Sequence, residues 1–195
     1  MESISKKGAE VAVEAISIWK PLAHYNERPK GGEIDTLVLH SMYAGGADRF
    51  SWEACWAVLD SARVSAHYLI TREGSVVGLV PEERRAWHAG VSKMPFPFDE
   101  RENVNHFSIG IELLGDEVSG FTSNQYHSLA LLTETIMRRH PITSIVAHSD
   151  VSPDRKTDPW QFDWNAFRLQ MLQSADDMQK VKGVHFSPQC PPFFT

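Results

Sequence analysis

The sequence predicts a single α/β domain, because strand-like and helix-like segments are interspersed along a chain long enough for one core. Five apolar or β-branched runs have strand length, at residues 34–40, 66–71, 75–80, 107–114 and 144–147. Three amphipathic segments predict helices, at residues 52–62, 122–139 and 163–173. The 195 residues contain no internal repeat and no linker-like stretch that would divide the domain.

Composition and charge limit the classes of partner. The net charge of −6 argues against a general nucleic-acid binder, which needs a basic face to neutralise phosphates. The apolar runs fall well short of the roughly 18 residues that span a bilayer, and the N-terminus lacks the features of a secretory signal. Cys55 and Cys190 are isolated in sequence, which favours free thiols in a reducing compartment. We therefore expect a cytoplasmic monomer with neither nucleic acid nor membrane as a partner.

The two ends of the chain flank the predicted domain. Residues 8–19 fit a short helix or a strand, Pro21 ends this segment, and residues 24–32 are an irregular connection rich in breakers. The end of the chain is polar and then proline-rich, which predicts an irregular tail. We expect three parts: an N-terminal extension at 1–21, the domain at 22–175 and an irregular C-terminal tail at 176–195.

Local signals define helix starts and a hairpin. Ser51 and Asp163 each precede a helical pattern, and each can cap it by accepting a backbone N–H. Thr122 and Gln125 match a capping box. Gly74 separates two strand-like runs and supplies the backbone freedom of a tight turn, which predicts a β-hairpin.

Two predicted strands each present a titratable side chain that is a candidate for a site. His40 ends the run at 34–40 and faces a glycine-containing loop, which suits a site, although a hydrogen-bonded core histidine is the ordinary alternative. In residues 107–114, period-two alternation places Glu112 on a face of small and apolar side chains. A buried carboxylate there needs a cation, hydrogen bonds or a raised pKa. The alternative is a solvent-facing glutamate on an edge strand.

Residues 81–106 form a long irregular segment. Loops of this length in a compact domain are often functional. Trp87 and His88 precede the open backbone of Ala89 and Gly90, which suits a ligand wall. A structural tryptophan packed under the loop is the alternative interpretation.

A polar loop after the strand at 144–147 concentrates titratable groups: residues 148–158 hold one His, three Asp, one Arg and one Lys. Zinc binds imidazole and carboxylate, and catalytic sites use three protein ligands plus an open position, so His40, His148 and Asp158 are a workable set. Lys156 is a candidate oxyanion donor and Glu112 a candidate acid/base. The spacing of His148 and Asp158 is by itself a weak signal, which leaves metal binding open.

Five separated motifs occur in one order along residues 22–170: IDTLVLH at 34–40, RVSAHYLI at 63–70, RAWHAG at 85–90, SIGIEL at 108–113 and HSDVSPDRKTDP at 148–159. Together they resemble the zinc-dependent N-acetylmuramoyl-L-alanine amidases of the AmpD type, which are related to peptidoglycan recognition proteins. Two departures flank the expected cleft. Trp160 stands where a glycine is frequent in the family, and residues 94–98 form a Pro- and Phe-rich insert.

The resemblance implies a mixed central β-sheet flanked by helices, with one zinc ion per chain in a cleft on the sheet surface. It implies hydrolysis of the amide between the lactyl group of N-acetylmuramic acid and L-alanine. His40, His148 and Asp158 then correspond to the zinc ligands, and Glu112 and Lys156 to the catalytic pair. The substrate-side residues implied in the same way are Arg63, Trp87, His88, Asn105 and Arg155.

The expected substrate is a muropeptide in its 1,6-anhydro form, produced during peptidoglycan recycling, because no secretory signal is evident. One alternative is a non-catalytic peptidoglycan-binding module on the same scaffold, a class that typically loses a zinc ligand. A second alternative is a lysin that acts on polymeric cell wall, against which the acidic charge argues.

Overall fold

A computed structural model describes residues 16–95, 97, 99–174 and 178–190. Its nine strands are β1 (Ile18–Trp19), β2 (Tyr25–Glu27), β3 (Thr36–Met42), β4 (Tyr68–Ile70), β5 (Val76–Gly78), β6 (Arg84–Ala86), β7 (Ser108–Leu114), β8 (Ser144–Ala147) and β9 (His185–Phe186). Its α-helices are α1 (Trp52–Ser61), α2 (Ser123–Arg139), α3 (His148–Val151), α4 (Trp164–Ser174) and α5 (Met178–Lys182). A 3-10 turn spans Val104–His106.

Seven strands form one mixed sheet in the order β1-β5-β4-β7-β3-β8-β9. Neighbouring strands are parallel except β4 and β5, which form the antiparallel hairpin expected around Gly74. Gly74 has a φ of +93°, a backbone conformation that L side chains rarely adopt. The mixed sheet with flanking helices confirms the predicted fold class.

The alternation of side chains along β3 and β7 divides the core into two layers. Leu37, Leu39, Ile109 and Ile111 pack with α2 and α4 on one face of the sheet. The intervening residues point to the opposite face, which α1 and the 81–106 segment cover. The period-two pattern of β7 therefore predicted correctly that Glu112 lies on the other face from the isoleucines.

The predicted helix starts are confirmed. The Ser51 hydroxyl accepts a hydrogen bond from the backbone N–H of Ala54 at 3.2 Å. Thr122 and Gln125 form both hydrogen bonds of a capping box. Asp163 accepts the backbone N–H of Ala166 at 2.9 Å. Each side chain satisfies a donor that the first helical turn leaves free.

Three segments that were predicted to be irregular contain strands. Residues 25–27 pair with residues 84–86 as β2 and β6 in a small antiparallel sheet. In the tail, Met178–Lys182 is helical and His185–Phe186 adds a parallel strand beside β8, so the prediction of an irregular 176–195 segment was wrong for the part described. At the other end, Ile18–Trp19 extends the same sheet, although 1–21 was predicted to lie outside the domain.

Some expectations fall on residues that the structure does not describe. These include positions 8–15 of the predicted N-terminal segment, and Phe96 and Phe98 of the insert. Within the described ranges, no helix is both long enough and apolar enough to cross a bilayer.

Candidate metal site and cleft

The site begins on the two central strands of the sheet. His40 of β3 and Glu112 of β7 are register partners, so backbone pairing sets their separation. Both side chains lie on the sheet face opposite α2 and α4, and both are buried. Glu112 is buried and β7 lies in the interior of the sheet, between β4 and β3, which excludes the alternative of an exposed edge glutamate.

The loop after β8 supplies the other two residues of the cluster. His148 begins α3, directly at the end of β8. The backbone carbonyl of Asp158 accepts the N–H of Ser149 at 2.9 Å, which closes the loop. Asp150 accepts the N–H of Ala147 at 2.7 Å and receives the side-chain amide of Gln189 at 3.0 Å. The tail therefore contacts the loop that carries the site.

His40, His148 and Asp158 converge in one buried cluster. Their potential ligand atoms all lie within 4.8 Å of one another. The Asp158 Oδ2 atom is 3.1 Å from His148 Nδ1 and 3.6 Å from His40 Nδ1. The same oxygen accepts the backbone N–H of Ser41 at 3.4 Å. The structure thus joins residues that are more than a hundred positions apart in sequence.

Burial and the surrounding polar groups favour, at His40 and Asp158, the protonation states that a metal requires. Burial, and secondarily repulsion from the neighbouring His148 ring, lowers the pKa of His40 to about 4, so its imidazole is neutral at pH 7. Burial alone raises the pKa of Asp158, but the adjacent His148 and His40 rings outweigh burial and hold that pKa below its usual range. Neutral imidazole and ionised carboxylate are the forms that bind zinc.

Glu112 is the buried carboxyl group beside the cluster. Its Oε2 atom has no hydrogen-bond partner within the described part of the chain. Burial, and secondarily the nearby charge of Asp158, raises the pKa of Glu112 to about 8. A carboxyl group with a pKa near the working pH can both accept and donate a proton.

A cleft of about 550 Å³ opens above the cluster. His40, Glu112, His148 and Asp158 line its buried part. The residues that line the same cleft and were predicted on its substrate side are Arg63, Trp87, His88 and Arg155. Lys156 and Trp160 also line it. The predicted metal, catalytic and most substrate-side residues therefore share one cavity.

Two predicted substrate-side residues also hold the loop at 87–91. Asn105 does not line this cleft but a neighbouring cavity, and its side-chain oxygen accepts the N–H groups of His88 and Ala89 at 3.3 and 2.9 Å. Arg155 donates to the carbonyls of Ala89 and Val91. Their contact with substrate stays a prediction.

His88 is buried, and it lies behind His40. His40 Nε2 is 3.0 Å from His88 Nδ1, and His88 Nε2 is 3.2 Å from the Ser108 hydroxyl. Ser108 was missed as a candidate. The only signal in the sequence is that Ser108, Gly110 and Glu112 share one face of β7.

The residues present fit a zinc ion. Two imidazole nitrogens and one carboxylate oxygen are the ligand set of a catalytic zinc site, which keeps its fourth position open. The buried and unpartnered Nε2 atom of His148 and Oε2 atom of Glu112 mark a site whose polar groups are not satisfied by the described protein atoms alone. A three-ligand cluster beside a carboxyl group and a lysine, in an open cleft, is typical of metal-assisted hydrolases.

The chain belongs to the N-acetylmuramoyl-L-alanine amidase family, whose model matches residues 30–161. Within that family it is of the AmpD type. The 1,6-anhydro-N-acetylmuramyl-L-alanine amidase AmpD of Haemophilus influenzae is 42% identical over 162 residues, which cover 74% of this chain and 86% of that protein.

Solved structures show the same fold. A selenomethionine derivative of AmpD has a TM-score of 0.65 and 37% identity, over 78% of this chain and 93% of that one. The Escherichia coli amidase AmiD, in complex with the substrate anhydro-N-acetylmuramic acid-L-Ala-D-γ-Glu-L-Lys, has a TM-score of 0.61 and 28% identity. That likeness covers 74% of this chain and 60% of the AmiD chain.

Proposed function

We propose that this protein is a zinc-dependent amidase that hydrolyses the bond between 1,6-anhydro-N-acetylmuramic acid and the L-alanine of muropeptides. The observation that carries the proposal is the buried cluster of His40, His148 and Asp158 at the floor of an open cleft. Membership of the amidase family supports the bond type, and the names of the AmpD relatives support the anhydro sugar.

Zinc bound by His40, His148 and Asp158 would supply Lewis-acid polarisation and an activated water. Glu112 faces the same cleft, and its unpartnered oxygen is available to take a proton from the attacking water and pass it to the leaving amine. Its pKa of about 8 suits both steps near neutral pH. Glu112 is therefore the proposed general base and acid.

Lys156 is the proposed oxyanion donor. Its side chain is exposed at the cleft, where its positive charge lowers the pKa values of His40 and Glu112 as a secondary cause. An ammonium at this position stabilises negative charge that develops on the carbonyl oxygen. A donor of this kind contributes about 3–4 kcal/mol in other acyl-transfer enzymes.

The cleft also has groups that suit a peptide stem. Arg63 lies on its wall as an exposed cation, and guanidinium groups bind carboxylates in a bidentate manner. Trp87 is partly exposed and its Nε1 atom donates to Asn26 at 3.0 Å, which fixes the ring at the rim. We propose that these two residues contact the stem peptide and the sugar.

We also propose a monomeric cytoplasmic enzyme. Both cysteines are free, and Cys55 is buried, which suits a reducing compartment. Light scattering of the purified protein measures the oligomeric state. Fractionation of cells that express the untagged protein measures its location.

The central test offers purified protein the soluble anhydro-muropeptide and intact sacculi side by side. We expect release of the peptide from the anhydro-muropeptide, loss of turnover after chelation, and recovery with added zinc. Equal or faster release from sacculi would identify a lysin instead. Binding without any cleavage would identify a recognition module.

A further inference from the structure

A chain of hydrogen bonds runs from the candidate metal site into the protein, and the geometry fixes which group donates in each bond. It contains His40, His88, Ser108 and the backbone carbonyl of Val104. The Ser108 hydroxyl lies 2.6 Å from that carbonyl, which can only accept, so the single hydroxyl proton points there. The serine oxygen can therefore only accept a hydrogen bond from its other neighbour, the His88 ring.

The direction of that bond sets the tautomer of His88. His88 Nε2 lies 3.2 Å from the Ser108 oxygen and therefore carries a proton. If Nδ1 of His88 also carried a proton, it would need His40 Nε2 as its acceptor. The proton of the His40 ring would then lie on Nδ1 of His40. That nitrogen lies 3.6 Å from Asp158 Oδ2, inside the proposed metal cluster, and a protonated nitrogen cannot bind a metal.

We propose that His88 is a positioning residue that accepts the Nε2 proton of His40 and so leaves the Nδ1 lone pair of His40 free for the metal. The proposal rests on the zinc site of the proposed function. Histidine ligands usually donate their second N–H to a carboxylate, a carbonyl or water. Here a neutral imidazole fills that place, and its own tautomer is held by Ser108.

The packing around His88 shows that its position is built into the sheet. A Cβ atom on Gly110 would lie 2.4 Å from Cγ of the His88 ring, so only glycine at this position of β7 leaves room for the imidazole. On its other side, the ring lies edge-on to His40, with centroids 5.1 Å apart. Asn105 accepts the backbone N–H of His88 at 3.3 Å. The ring is therefore fixed by contacts that involve no substrate.

Two substitutions separate hydrogen bonding from packing. His88→Phe keeps an aromatic ring but removes the acceptor, whereas His88→Asn loses ring volume but places an oxygen near the position of Nδ1. We expect the Phe variant to bind zinc about 10–100-fold more weakly, in the range measured when partners of metal ligands are removed. We expect the Asn variant to stay within about threefold of the parent chain. If His88 acted through packing alone, His88→Asn would lose more zinc affinity than His88→Phe.

Zinc affinity is measured by competition with a chelating dye, and folding of each metal-free variant by circular dichroism. Ser108→Ala is a smaller change that frees the His88 tautomer without disturbing its ring, and we expect an intermediate loss of affinity. This variant keeps the test valid if His88→Phe does not fold. Parent-like zinc affinity in both His88→Phe and Ser108→Ala would overturn the proposal.

His67→Phe is the matched control. His67 is another buried histidine on the same face, and its ring lies edge-on to His88 at a centroid distance of 5.7 Å. Its ring nitrogens contact the backbone N–H of Gly110, the guanidinium of Arg28 and the carbonyl of Arg84, and none of them contacts the metal cluster. We expect it to lower stability while zinc affinity is unchanged. An equal loss of affinity in this control would assign the His88 effect to general damage. Absence of zinc binding in the parent chain would instead overturn the proposed function.

Discussion

His40 and Glu112 occupy matched positions on the parallel strands β3 and β7, and both side chains project from the same face. A proposed metal ligand and the proposed acid/base are thus joined by backbone pairing in the middle of the sheet. Groups placed on central strands hold their separation better than groups on loops, which favours a preorganised site. The protein groups are therefore held in place, and it is the substrate that must move into position.

Glu112→Gln tests the proton-transfer role. Glutamine preserves the shape of the side chain but cannot exchange a proton, so we expect kcat to fall by about 10²–10⁴-fold while zinc content is unchanged. Turnover is measured with anhydro-muropeptide, and zinc by metal analysis of the purified variant. Turnover within about tenfold of the parent chain would move the acid/base role to another group.

The same variant also probes stability. The Glu112 carboxyl group is buried, and one of its oxygens lacks a hydrogen-bond partner among the described residues. An uncompensated buried carboxyl group costs free energy, so Glu112→Gln should unfold at an equal or higher urea concentration in the metal-free state. A clear decrease in the midpoint would mean that the carboxyl group stabilises the fold.

Lys156→Ala tests the oxyanion role. We expect kcat to fall by about 10²–10³-fold with zinc affinity retained, because the ammonium acts on charge that develops in the reaction. Lys30→Ala is the charge-matched control, since Lys30 is exposed and does not line the cleft. Near-parent turnover of the Lys156 variant in a steady-state assay would remove this residue from the mechanism.

Trp160→Ala tests whether the departure from the family affects recognition. The ring is held at the cleft by an Nε1–H bond to Thr157 of 2.9 Å and by an edge contact with Tyr43, at a centroid distance of 6.0 Å. Loss of an apolar contact of about 1–2 kcal/mol should raise KM about tenfold and leave kcat nearly unchanged. Trp19→Ala, on the outer strand β1, should change neither constant. A fall in kcat with constant KM would contradict this role.

The sequence predicted the long strands and the helix caps because each rests on a strong local signal. The metal cluster was predicted from the family resemblance, because the spacing of His148 and Asp158 is by itself a weak signal. His40 lies within the seven-residue strand β3, whose first six residues are buried, and the capping box at Thr122 leaves little freedom in where α2 begins. The sheet order could not be predicted in the same way, because it depends on which buried strands pair. The resemblance supplied the mixed sheet but not the order of its strands.

Shorter elements were missed because tertiary contacts, not local propensity, hold them. The connection at 24–32 is ordered partly by Arg28, whose guanidinium donates to the carbonyls of Glu82, Asn105, His106 and Ser108. The two-residue strand β9 forms only because β8 offers a free edge. The location of His88 behind His40 was also missed, since it depends on the space that Gly110 leaves on β7.

Glu82 provides a prediction of pH-dependent stability away from the cleft. Its carboxylate accepts hydrogen bonds from Tyr68 at 2.6 Å, His140 at 2.8 Å and Arg139 at 2.6 and 3.0 Å. Burial alone raises the pKa of Glu82, but the bonds from His140, Arg139 and Tyr68 outweigh burial and lower that pKa to about 2. The group therefore ties α2 to the sheet in its ionised form.

Because the folded pKa lies below that of the unfolded chain, the stabilisation by Glu82 is complete above about pH 4.5 and is lost as the pH falls toward 2. A shift of this size corresponds to about 3 kcal/mol. Urea unfolding of the parent chain and of Glu82→Gln, at pH 7 and at pH 2.5, measures the difference. We expect the parent to be more stable at pH 7 and the gap to narrow in acid, whereas a gap that is constant with pH would show that the glutamate contributes through shape and not through charge.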